Sequence, residues 1–161
     1  MSSILKVDTI QTTAGAAPTT KDLGFAAGSV IQVANGLLAT GVNNSTASYV
    51  DTGLTATITP KFASSKILII CNMMSVENNT ASEGAHVKLV RGSTDLSEWG
   101  RFMGYTRTYM TSHPSITYLD SPATTSATVY KVQFKRGQGG GQVNVNSNTA
   151  TSSITLMEIA Q

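Results

Sequence analysis

The sequence predicts an all-β protein: an antiparallel, jelly-roll-like β-sandwich head preceded by an extended N-terminal segment. Three observations predict it. Eight or nine short apolar or alternating runs are separated by turn formers, the pattern of a sandwich or barrel. No stretch carries a convincing amphipathic helical period, so helix should be close to absent. Only 12% of the residues are charged, against about 25% in an average domain. Ser, Thr, Asn and Gly carry the polarity instead, which suits strands and turns and a surface that is inert or packs on copies of itself.

The 161 residues suffice for one domain with a short appendage. Residues 1–28 read as the appendage. Ile4, Leu5, Val7 and Ile10 form a short apolar ribbon of the kind that docks on something. Thr12–Gly28 is an extended Gly/Ala/Thr linker with Leu23 and Phe25 as contact points. Residues 29–161 read as the head.

The head opens with a strand over Val30–Ala34 and a turn at Asn35-Gly36. Leu37–Ser48 is a polar connection, and Tyr49–Asp51 is extended and ends at Gly53. Leu54, Ala56 and Ile58 alternate with Thr55, Thr57 and Thr59, a half-buried strand. Pro60–Ser65 turns the chain into Lys66–Val76, the most apolar run. Its β-branched residues and flanking turn formers favour a central strand over a buried helix. Ile67, Ile69 and Cys71 should face the core. Leu68 and Ile70 should point the other way, toward a second layer or a neighbouring subunit. Ala127–Arg136 and Ser153–Ile159 are its candidate neighbours.

Glu77–Gly84 is a loop tip. Ala85–Arg91 places Val87 and Leu89 inward and His86, Lys88 and Val90 outward, before an Arg91-Gly92-Ser93-Thr94 hairpin turn. Leu96–Ser112 holds Gly100 and Gly104, which argue against a helix; it reads as two short strands or a long excursion. Ser115–Leu119 is a strand ending in an Asp120-Ser121-Pro122 turn. Tyr130, Val132 and Phe134 share one face of the next strand, and Lys131, Gln133 and Lys135 the other. Gly137–Gly141 is a flexible tip. Val143 and Val145 lie on a strand that should return antiparallel to the preceding one. Ser153–Ile159 closes the chain.

Several function classes lack their residues. Net charge is +2, with no cluster of Lys and Arg, so nucleic acid is not an expected partner. No run approaches the roughly 20 apolar residues that span a bilayer, and no signal peptide is visible, so membrane insertion is not expected either. The chain should be made in the cytosol as a soluble protein. Cys71, the single cysteine, reads as a small buried hydrophobe and excludes an intrachain disulfide. His86 and His113 without a carboxylate cluster do not make a metal site. Asp95 with Glu98, or Asp51 or Asp120 alone, could be cast as glycosidase acids, but that role needs a defined separation. The Gly-rich tip lacks the Lys-Ser/Thr of a phosphate loop. The expectation is a protein with no catalytic residues, no cofactor and no metal.

One stretch invites a sharper reading. Trp99, Phe102, Tyr105 and Tyr109 gather with Arg101 and Arg107. Aromatic faces stack on sugars, and Arg forks bind acidic groups of glycans. A packed loop or a subunit interface is the simpler account, since the same residue types are enriched there.

The phrases SSILKVDTIQ, DTGLTATITPKFASSKILI, RGST, DSPATTSATVYKVQ and SSITLMEIA together resemble short tail-fibre or receptor-binding proteins of marine and cyanobacterial tailed phages. The resemblance implies a homotrimeric virion appendage. Residues 1–11 or so, with Ile4, Leu5, Val7 and Ile10, would attach to other tail or baseplate proteins. The head would meet a glycan or receptor on the host surface. A capsid decoration or neck protein with a trimeric β head is the alternative. Leu96–Ser112 matches nothing shared, and no family role is carried onto it.

Overall fold

The computed structural model describes residues 24–80, 84–100, 110–137 and 140–161. Twelve strands run along these: β1 (Val30–Leu38), β2 (Val42–Asn44), β3 (Val50–Ile58), β4 (Lys66–Asn72), β5 (Val76–Asn78), β6 (Ala85–Arg91), β7 (Thr94–Trp99), β8 (Met110–Ser112), β9 (Ser115–Asp120), β10 (Thr128–Arg136), β11 (Val143–Val145) and β12 (Ser152–Ile159). The helical content of the described residues is one 3-10 turn, Ser147–Thr149.

The strands form three antiparallel sheets ordered β1-β12-β4-β9, β3-β10-β6-β7 and β2-β11-β5-β8. The third is the continuation of the first. β1 runs on into β2, β4 into β5, β8 into β9 and β11 into β12, in the same lateral order. One four-stranded sheet is thus bent across a line of irregular residues and faces a second sheet. Taking each bent pair as one strand leaves eight, in two sheets with the connectivity of a jelly roll. The fold class expected from the sequence is the one observed.

Side chains stitch the bend where the ladder breaks. Asn146 sits in the left-handed region at φ 59. Its side-chain amide donates to the Leu38 carbonyl, its Oδ1 accepts from Ser152, and its N–H donates to Met74 O at 3.1 Å. Ser75, also left-handed at φ 49, donates its N–H to His113 Nδ1 at 2.9 Å. Met74 N–H donates to Ser152 Oγ at 2.8 Å. These bonds satisfy backbone groups that the broken ladder would otherwise leave unpaired.

The core lies between the sheets and draws on all three: Leu54, Ile58, Ile67, Ile69, Cys71, Val76, Leu89, Tyr130, Phe134, Val145, Ile154 and Leu156 are among its members. The central run behaves as expected on its inner face, with Ile67 and Ile69 fully buried and Cys71 nearly so. Leu68 and Ile70 point outward and are half-buried. Burial pushes the Cys71 thiol up to about 12, so it stays protonated.

Several expectations need correction. Asn35-Gly36 is not a turn, because β1 continues through it for nine residues. A Cβ on Gly36 would lie 1.8 Å from Thr55 O, so the glycine is there to let β3 approach. Gly53 likewise does not end a strand; it sits inside β3 at φ 86, where the register against β10 shifts. β11 pairs with β2 and β5, not with β10. The neighbours of β4 are β12 and β9, while β10 lies in the facing sheet. Val90, expected outward, is also covered, at 3% exposure.

Candidate interaction surfaces

The register fixes which end of the sandwich each connection occupies. Val30 and Lys66 both lie opposite Ile159, and Ile67 opposite Asp120, so these residues share one end. The chain enters the sheet there: Gly28 N–H donates to Ala160 O, and Ala160 N–H to Ser29 O, both at 2.9 Å. Phe25 meets Phe62 edge-on, with ring centroids 6.4 Å apart, so this part of the linker does touch the head.

Glu158 secures the same end. It is fully buried, and its carboxylate accepts from Gln32 Nε2 at 2.5 Å and from Lys61 and Phe62 N–H at 2.8 and 3.2 Å. Asp120 crosses between the sheets, accepting from both Arg91 (2.7 Å) and Tyr130 Oη (2.7 Å).

Four connections leave from the opposite end: β2–β3, β5–β6, β7–β8 and β10–β11. Described parts of three of them bond to one another. Arg136 N–H donates to Thr46 O at 3.2 Å, Gly137 N–H to Gly84 O at 2.7 Å, and Gln142 N–H to Asn79 Oδ1 at 2.7 Å. Asn44 braces the first connection: its buried amide donates to Ser48 O and Phe134 O at 2.9 and 3.0 Å and accepts from Thr46.

At this end the outer face of the β3-β10-β6-β7 sheet carries a clamp. The ring of Tyr49 is met by the ammonium groups of Lys88 and Lys135, each 4.5 Å from its centroid. Its hydroxyl lies beside Glu98 without a well-formed hydrogen bond. Burial first, then Glu98, raise the phenol well above its ordinary pKa. Glu98 also lies 3.8 Å from Lys135 and 3.5 Å from His86. Lys88 pairs with Asp95 at 2.9 Å, and Lys131 with Asp51 at 3.0 Å. The Asp51 carboxyl is lowered on balance: burial works against its charge, but hydrogen bonds from Gln133 and Lys131 outweigh it.

The outer face of the β1-β12-β4-β9 sheet is the opposite in kind. Those strands hold three charged residues, of which Glu158 and Asp120 point inward and only Lys66 outward. Val33, Met157, Leu68 and Leu119 lie in one register row across all four strands. Val33 is 57% exposed, Leu119 51% and Leu37, further along β1, 67%.

The residues singled out in the sequence fall differently. Trp99 ends β7 opposite Val87, half-buried and packed on the core. Arg101, Phe102, Tyr105, Arg107 and Tyr109 lie outside the described residues, as do Ile4, Leu5, Val7 and Ile10. Trp99 and Met110, the described residues on either side of 101–109, both lie at the end opposite the chain's entry. The Tyr49 clamp escaped the sequence reading. Alternation puts Lys88 and Lys135 outward, but only the β6–β10 register and the course of β3 bring Tyr49 between them.

Each acid weighed as a glycosidase residue is engaged: Asp51 by Lys131, Asp95 by Lys88, Glu98 by Lys135 and His86, Asp120 by Arg91 and Tyr130. Among the described residues, no group of three His, Cys, Asp or Glu side chains could hold a metal ion. No helix among them is long and apolar enough to cross a membrane.

Fold and surfaces together define a jelly-roll β-sandwich with one charged and one neutral outer face. No protein-family profile matches the chain, and a search of curated proteins found no match.

Proposed function

We propose that the protein is a non-enzymatic virion component: a homotrimeric phage tail fibre. Residues 1–28 anchor it to tail or baseplate proteins, and the jelly-roll head meets a glycan or receptor on the host cell. The observation that carries this reading is the polarity of the head. The chain enters at one end, and four connections, with the segment after Trp99 among them, leave from the other. An appendage held at its N-terminal end would present those loops outward, on a rigid scaffold suited to binding.

Immunogold labelling of virions with an antibody against the head tests the placement. Label at the tail tip is the expected result. Label spread over the icosahedral shell would overturn the fibre assignment in favour of a capsid decoration protein.

A further inference from the structure

We infer that the outer face of the β1-β12-β4-β9 sheet is the surface through which copies of this chain associate. The inference rests on the homotrimer reading for the number of copies, and adds the face and the residues. Four observations carry it. The first is the apolar row Val33–Met157–Leu68–Leu119, which spans the whole width of the sheet. Two of its members, Val33 and Leu119, are more than half exposed in the isolated chain.

The second is what surrounds the row. Apart from Lys66 at the start of β4, its neighbours are uncharged, and some bond sideways within the sheet: Ser115 Oγ donates to Asn72 Oδ1 at 2.7 Å, and Asn35 Nδ2 to Thr155 Oγ1 at 3.4 Å. Polar groups already partnered in the plane cost less to bury than groups that must give up water. The third is contrast. On the outer face of the other sheet, Lys88, Lys131 and Lys135 pair with Asp95, Asp51 and Glu98, which suits that face to solvent.

The fourth concerns the occupant. A neutral apolar face complements another neutral apolar face, and a second copy supplies one with the same row pattern. A charged partner would leave its ions facing Val33 and Leu119 without counter-charge. β1 and β9, the edges of this sheet, carry no Lys or Arg. Cyclic symmetry closes such an assembly without leaving a free face.

Sedimentation equilibrium at micromolar concentration tests the inference on the full chain and two variants. Val33→Lys/Leu119→Lys changes exposed positions on the neutral face, so folding should survive, with far-UV circular dichroism as the check. Val129→Lys changes an exposed position on the opposite sheet. The expected result is a mass that falls about threefold in the double variant and is unchanged in Val129→Lys. A folded double variant that keeps the wild-type mass overturns the assigned face and leaves the trimer standing. A monomeric wild-type chain overturns both.

Discussion

Tyr130 is fully buried, yet its hydroxyl ends on a carboxylate: it donates to Asp120 at 2.7 Å, and Arg91 donates to the same carboxylate. Burial first, then Asp120, raise the phenol's pKa well above its ordinary value, while Arg91 pulls the other way. Cys71 is raised by burial alone, to about 12. Both groups therefore keep protons in the native state at pH values where the unfolded chain has lost them. Their stabilisation is complete below the ordinary pKa values, about 8.5 for a thiol and about 10 for a phenol. It is lost as pH rises from there through the native values. Stability should fall from roughly pH 9 upward. Tyr130→Phe removes one hydrogen bond, costing about 1–2 kcal/mol at neutral pH, and should flatten the alkaline limb. Urea unfolding between neutral and alkaline pH, at fixed protomer concentration, measures both effects. An unchanged alkaline slope in the variant would mean that the phenol does not couple to folding. The inward direction of Tyr130 was legible from alternation. Its partner was not: Arg91 and Asp120 are joined by the packing of two sheets, and nothing local marks either as a tie.

At the scale of the element, the sequence was most readable where a strand is long and half-buried. Leu54–Ile58 and Thr128–Arg136 show period-two alternation because one face meets the core and the other meets water. The hairpin at Arg91–Thr94 was readable because its turn is local; Gly92 takes the left-handed conformation at φ 57. Legibility ended where the cause is tertiary. Asn35-Gly36 carries a turn signature, but Gly36 answers to Thr55 across the sandwich. β11 has three residues, too few to encode a partner, so sequence proximity to β10 misled. The two kinds of glycine make a quantitative contrast. Gly36→Ala puts a methyl into a backbone carbonyl, forces β1 and β3 apart, and should cost about 3 kcal/mol or more, the upper range for overpacking. Gly92→Ala meets open space and should cost only the left-handed backbone term, about 1–2 kcal/mol. Urea midpoints of the two variants separate the causes. Equal losses would show that the approach of β1 to β3 is soft.

For the whole molecule, the low charge content read from composition becomes a directional property once the strands are ordered. Composition and alternation point to a surface that is inert or packs on copies of itself, and put Leu68 and Ile70 away from the core. The sequence could not say which other residues join them, because Val33, Met157 and Leu119 come from strands brought together only by the jelly-roll connectivity. Nor could it say that the paired ions collect on the other sheet. For the association proposed above, this segregation predicts the response to salt. Exposed charge pairs are screened once the Debye length falls from about 10 Å at 0.1 M to about 3 Å at 1 M. An interface built on the neutral face has no such pairs to screen. Its protomer association should hold constant between those salt concentrations, and strengthen in sulfate, which favours apolar burial. An interface built on the charged sheet would exchange intramolecular for intermolecular ion pairs and would loosen as salt rises. Sedimentation at both ionic strengths distinguishes the two: a mass that drops in the higher salt would place the contact on the charged sheet around Lys88, Lys131 and Lys135.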